Sequence, residues 1–320
     1  MASRNTEAGE KRRVATLHLW LLLIGAGSLW GLTFPLARIA AEGGTHAVAL
    51  ALWQATASAV SLAAFHLLMR WRLPLSQRHI RFYAICGFMG TALPTSLYYL
   101  AAVHVPSGVL AITVATVPMM TLVLAWLLRI ERPSISRVAG LIAGIVGVAF
   151  LVLPQASLPD PAAVPWVLLV VACAACYAVE NAYIALDLPT GTHPLTILFG
   201  MMIAAALMTV CVAFAFGVLA LPEWPLGQPE IALLGMAMFS TVAYAVFVYL
   251  ISAGGPVFAS QIAYVVTLTG VAWGMVLLGE AHSAWVWAAL AVMLVGLALV
   301  KPGGATDIAP GPVADKGPGF

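Results

Sequence analysis

The stretch PSGVLAITVATVPMMTLVLAWLLR, residues 106–129, decides what kind of molecule this is. No charged side chain occurs between Pro106 and Leu128. A helix rises about 1.5 Å per residue, so roughly 20 such residues cross a hydrocarbon core of about 30 Å. The rest of the chain has the same character: of 320 residues, 62% are hydrophobic and 8% charged, with a mean hydropathy of +1.02. Soluble domains carry about 25% charged residues. The composition excludes a cytosolic enzyme, a secreted domain and a disordered protein. A formal charge of +2 gives no nucleic-acid footprint. Cys86, Cys173, Cys176 and Cys211 all lie within apolar runs, where no disulfide framework is expected.

Outward from residues 106–129, nine more apolar runs can be marked off, giving ten spans. They are Leu17–Ala41, His46–Met69, His79–Val103, Pro106–Arg129, Ser134–Leu153, Val164–Asp187, Pro194–Leu219, Pro229–Ser252, Pro256–Gly279 and Ala284–Val300. The runs are continuous, unlike the ten-residue alternation of a barrel strand. Lys11, Arg12 and Arg13 precede the first run in the manner of a secretory signal, but that run is about twice too long, so it is read as a retained helix. Thirteen of the fourteen Lys and Arg fall on one side if both ends are cytoplasmic; Arg38 is the exception. The opposite loops carry acids: Glu42, Asp160, Glu223, Glu230 and Glu280.

The chain also resembles itself at an offset near 150. Tyr99-Leu100 followed by Pro106 returns as Tyr249-Leu250 followed by Pro256. Glu131 is echoed by Glu280, and Gly147-Val148-Ala149 by Gly296-Leu297-Ala298. Five spans per copy is an odd number, so the second copy enters from the opposite face. Inverted repeats of this sort are a recurrent transporter architecture, with the substrate site near the midplane between the halves. The expected organisation is a polar cytoplasmic tail (1–16), a first five-helix repeat (17–153), an inverted second repeat (164–300) and a cytoplasmic C-terminal tail (301–320).

Trp30-Gly31-Leu32-Thr33-Phe34-Pro35-Leu36-Ala37-Arg38 resembles the first-helix pattern of the EamA-type carriers of the drug/metabolite transporter superfamily. Residues Pro106 to Val152 resemble that family's signature stretch: a helix opened by small residues, Pro118 in mid-helix, Glu131 at the next loop, then Gly140, Gly144 and Gly147. The second half departs from the pattern, with Tyr177-Ala178 where Trp-Gly stands in the first half and no proline matching Pro118. The resemblance implies an all-α integral membrane protein of ten transmembrane helices in two inverted five-helix units. It also implies export of small metabolites or amino acids, closest in general look to the YddG-like aromatic amino-acid exporters.

Several residues stand out inside the spans. Glu180 is a lone carboxylate about sixteen residues into the sixth span, costly in lipid unless it faces a cavity or a partner. It reads as a contact for a substrate amine, as a proton site, or as an interfacial carboxylate capped by Asn181. Trp30 and Tyr177 are aromatics at depth, where Trp and Tyr are less usual than at the interfaces. With Tyr99, Tyr249, Asn181 and Gln261 they make up the candidate substrate-binding set. Gln54 is another buried amide, and all the amides also read as helix-to-helix hydrogen bonds. Pro35 and Pro118 are the candidate hinges. Arg38 reads as a partner of Glu42 or as a contact for a substrate carboxylate, and Gly27/Gly31 and Gly140/Gly144 as close-packing faces.

No catalytic residue, metal site or cofactor is expected. Cys173 and Cys176 lack a second pair of ligands, and no metalloprotease, nucleophile-elbow or phosphate-loop motif occurs. No Lys or Arg lies between Val138 and Val300, which disfavours a phosphorylated cargo. The expectation is a non-enzymatic secondary transporter of a bacterial inner membrane. It works in the lipid bilayer on a small-molecule substrate, most simply by exporting aromatic or apolar amino acids. A drug or nucleotide-sugar carrier is the alternative within transport, and a membrane-embedded enzyme or lipid scramblase the alternative outside it.

Overall fold

Apolar runs punctuated by proline, glycine and short polar turns become helices, and no strand occurs among the described residues. The computed structural model describes residues 2–129, 134–153, 157–158, 160–222, 224–254 and 256–300, so Glu131, Glu223, Lys301 and Lys316 lie outside it. Helix α1 (Ala2–Glu42) begins well ahead of Leu17, because the preceding segment is rich in Ala, Glu, Lys and Arg, which favour helix. It runs through Pro35 without ending. Helix α2 (Ala47–Met69) is opened by His46, whose Nδ1 accepts from the Val48 N–H.

The third expected span is not one helix. It comprises α3 (Gln77–Gly87), a π-helical turn (Phe88–Ala92) and α4 (Leu93–Ala102). Pro94 supplies the reason: it has no N–H for the Gly90 carbonyl, and its ring would strike that carbonyl in a regular helix. The backbone widens instead, and the Leu93 N–H bonds to Phe88. The fourth span is broken into α5 (Ser107–Val114) and α6 (Val117–Leu127). Pro118 again accounts for it, since α5 stops at Val114, the residue four positions back.

Helices α7 (Ile135–Val152), α8 (Val164–Asp187), α9 (Pro194–Ala215) and α10 (Gln228–Gly254) follow. Helix α9 ends before the expected Leu219 because Gly217, at φ +65°, turns the chain and lets Val218 N–H cap the Ala213 carbonyl. The ninth span is broken like the fourth, into α11 (Pro256–Ala259) and α12 (Ile262–Leu278), although no proline sits at its break. Both breaks use tight i→i+3 turns, Thr116 N–H to Thr113 and Gln261 N–H to Phe258, each at 3.1 Å. Helix α13 (Ala284–Leu299) completes the bundle. Among the described residues, seven helical stretches are long and apolar enough to cross a membrane, and α12 and α13 are shorter apolar helices.

Helices of residues 17–153 pack mainly on helices of residues 164–300. Helix α1 lies on α10 and α12, α2 on α9 and α10, α3 on α9, α4 and α6 on α8, α5 on α12, and α7 on α13. Glycine sets the closest of these approaches. A Cβ at Gly31 would come within 2.8 Å of the Gly270 backbone nitrogen, and one at Gly140 within 2.9 Å of the Gly296 carbonyl. The main core runs along this contact, with Phe34, Tyr99, Leu110 and Met119 from one side and Val170, Leu233, Val271 and Met293 from the other. The opposite helix faces expose apolar side chains such as Ile142, Ile145, Phe214 and Val276, the reverse of a soluble surface and suited to lipid.

Candidate functional site

Glu180 lies seven residues, about 10 Å, from the Asp187 end of α8. Its carboxylate rests against Gly90 in the π turn, in the volume that a Cβ at Gly90 would fill. Tyr177, one turn earlier on α8, Cys86 on α3 and Tyr244 on α10 are its neighbours. Glu180 makes no hydrogen bond or ion pair with any described residue, so among those residues this half-buried carboxyl group has no counterion. From Tyr244 the aromatic surface continues to Phe247 (ring centroids 6.5 Å apart) and then to Trp30 on α1 (5.8 Å). Side chains of three helices thus form one series: a carboxylate at one end, an indole at the other, and phenol and phenyl rings between.

The other candidates are dispersed. Tyr99 is buried, donating to Gln54 Oε1 at 2.8 Å and abutting Met236, an interhelical clasp between α4, α2 and α10. Asn181 is exposed and donates to Thr121 Oγ1 on α6 at 3.3 Å rather than capping Glu180. Tyr249 is 48% exposed and continues the outward stripe of Ile231, Met238 and Val242 on α10. Gln261 is the first-turn cap of α12, next to Ile262 in the cluster that holds Trp30. Pro118 sits in the first turn of α6, directly after a helix break, whereas Pro35 lies within an unbroken α1. Cys173 is buried with its Sγ at the Leu169 carbonyl, as expected of a packing residue.

Phe247 and Gly90 were not among the sequence candidates, and Tyr244, a tyrosine within a span that packing explains equally well, was not in the substrate-binding set. The spacing Gly90-x-x-x-Pro94 was the available signal, since that proline forces the backbone open at the glycine.

At the opposite end of the bundle is a second acidic centre. Glu280, in the turn between α12 and α13, reaches the first turn of α5: Ser107 N–H donates to Oε1 at 2.6 Å and Gly108 N–H to Oε2 at 3.0 Å. Arg38 bonds both Glu42 (2.8 Å) and Glu280 (3.3 Å). His282 Nε2 stands 3.6 Å from Glu280 Oε2; burial pushes its pKa down while the carboxylate pulls it up. Pro106, at the cap position of α5, has no side-chain acceptor of its own, so the remote glutamate takes that role. At the Asp187 end, Arg78 and Arg81 from α3 hold Asp187 of α8, at 3.1 and 2.8 Å.

Comparison with known proteins agrees with this architecture. The EamA-like transporter family pattern matches the chain twice, over residues 18–153 and 164–301. A relative from Escherichia coli strain K12, called uncharacterized inner membrane transporter YedA, is 29% identical over 294 residues, covering 90% of this chain and 92% of the relative. YedA of the O157:H7 strain matches to the same extent. A crystal structure 21% identical in sequence covers 88% of this chain and 96% of its own, with a TM-score of 0.53, a likeness of fold. Apolar helices of spanning length together with a family match across most of the sequence make this a multi-pass membrane protein, and the chain belongs to the EamA-like transporter family of the drug/metabolite transporter superfamily.

Proposed function

We propose that this protein is a secondary transporter of the inner membrane, exporting small amphipathic metabolites, foremost aromatic or apolar amino acids as in YddG-like carriers, by alternating access. The observation that carries the proposal is Glu180: a carboxylate without a partner among the described residues, opposite a glycine, at the end of a series of aromatic side chains, Tyr177, Tyr244, Phe247 and Trp30. A charge at such depth is stabilised by what binds there. An α-ammonium group supplies that charge, and the rings supply stacking and cation–π contact for the cargo's apolar part.

The proposed frame is ten spans, with α3–α4, α5–α6 and α11–α12 each counted as one, and both termini cytoplasmic. The exchange of partners supports two inverted halves: α1 on α10 mirrors α8 on α4, and α1 on α12 mirrors α8 on α6. Thirteen-to-one Lys/Arg asymmetry supports the orientation, and the printed name of the Escherichia coli relative supports the compartment.

The test is counterflow of labelled amino acids into proteoliposomes, with and without Glu180→Gln. Counterflow of aromatic amino acids that falls in the variant sustains the proposal, and no counterflow of any amine-bearing solute by the unmodified protein removes it. Loss of pH-driven accumulation with counterflow intact would reassign Glu180 to proton handling.

A further inference from the structure

We propose that Glu280 is the latch that closes the outer face of the transporter, locking the two halves together in the state seen here and releasing them when that face opens. The inference rests on the transport reading above but concerns the opposite end of the molecule from Glu180. The hydrogen bonds of the Glu280 carboxylate to described residues cross between the halves, and His282 Nε2 from its own half stands near it at 3.6 Å. It bonds the first turn of α5 through Ser107 and Gly108 and the last turns of α1 through Arg38, from a turn in the second half. Only 7% of the side chain is exposed. Beneath it the end of the bundle is shut by small or apolar residues with no measurable exposure, among them Ala37, Ala40, Ala101, Ala102, Val105 and Val109.

Three features show that the sequence is shaped around this contact. A side chain at position 108 would collide with His282 Nε2, at 2.6 Å from its Cβ, so Gly108 admits the turn carrying Glu280. A Cβ at Gly274 would reach Glu280 Oε2 at 2.6 Å, so the last turn of α12 leaves room for the carboxylate as well. Pro106 leaves the α5 amides without a local side-chain cap, so their acceptor comes from the other half. Opening this end separates α5 and α1 from the α12–α13 turn and returns the two amides, the guanidinium and the carboxylate to water. All four are solvated once water enters, so the latch holds the closed state without making the open one prohibitive.

Ser107 gives a reporter that fits. Its Oγ is buried and unpartnered in the closed state, and Ser107→Cys keeps the backbone N–H that Glu280 binds. Labelling of that cysteine by a membrane-impermeant maleimide, applied to right-side-out or inverted membranes and read by peptide mass spectrometry, reports opening at each face. In the parent, labelling is slow from both faces. Adding Glu280→Gln is expected to raise the rate at least fivefold from the outer face alone, and Arg38→Gln at least twofold. An unchanged rate in both variants, or an equal rise from both faces, overturns the latch. Size-exclusion profiles in detergent check folding; if Glu280→Gln does not fold, Arg38→Gln decides in the same two directions. Labelling needs no cargo, so its outcome is independent of the counterflow test on which the transport reading stands.

Discussion

Glu180 and Glu280 are both glutamates withdrawn from water, and their surroundings are opposite. Glu280 has two backbone amides, a guanidinium and an imidazole around it, all from the protein. Glu180 has a glycine, a thiol and two tyrosine rings, and no bond to any described residue. A carboxylate whose acceptor capacity is filled by its own chain belongs to the architecture. One left unfilled at depth carries a standing energetic cost, and binding a cation there recovers it. Burial alone does not separate the two roles; the count of partners does.

That contrast can be broken at several points. The largest effect belongs to Glu280→Gln, which removes a buried charge from its partners: a loss of about 3 kcal/mol, or about 5 °C or more in apparent Tm in detergent. A Tm equal to the parent's would mean that Glu280 holds nothing together. Next is Gly90→Ala, whose new methyl occupies the space of the Glu180 carboxyl and costs about 2 kcal/mol of cargo binding, on the order of 30-fold in counterflow affinity. Parent-like affinity in that variant would place the cargo elsewhere. Glu180→Gln should slow counterflow of amine-bearing substrates about tenfold, about 1.4 kcal/mol, yet leave Tm within about 0.5 kcal/mol of the parent. A large drop in Tm would instead make Glu180 a structural residue like Glu280.

A smaller effect is expected of Tyr99→Phe, which deletes the bond to Gln54 and should cost about 1 kcal/mol in thermal stability; Tyr249→Phe, on the lipid face, should cost nothing measurable. The least is a pH dependence at His282. Its folded pKa lies below the ordinary 6.5, so the unfolded chain takes up the proton first. Its contribution to stability is complete above that value and is lost as pH falls from 6.5 toward the lowered folded value. The groups facing it are Glu280 and the ring of Trp287. Apparent Tm should therefore decline on acidification more in the parent than in His282→Gln, and equal slopes would show that another group titrates.

The apolar runs were legible because lipid imposes a length and a lack of charge on every segment that crosses it. Which face of each helix turns inward was not, because a helix apolar all round shows no stripe to read. Tyr249 illustrates the difficulty. Its place in the Tyr-Leu…Pro echo made it the counterpart of Tyr99, yet Tyr99 is buried against Gln54 and Tyr249 looks out beside Val242. Glu180 was visible because a lone charge in a span stands out. Its companions Tyr244 and Phe247 were not, since an aromatic residue packs as readily as it binds. Arg38 and Glu42 were legible as an i, i+4 pair, but the reach from Arg38 to Glu280 spans most of the chain and no spacing rule reports it.

The π turn at Phe88–Ala92 has a consequence for phase. An α-helix advances its side chains by about 100° per residue, so a single extra residue in one turn rotates everything beyond it by that amount. Helix α3 can thus aim its face at α9 while α4, on the same axis, aims a different face at α8 and α2. Deleting one residue, such as Met89, would rotate Tyr99 by about 100° away from Gln54, while Pro94 would still clash with the carbonyl four positions before it in a regular helix. The wide turn is a rotational joint between two halves of one span, and Gly90, the residue that leaves room for Glu180, lies within it.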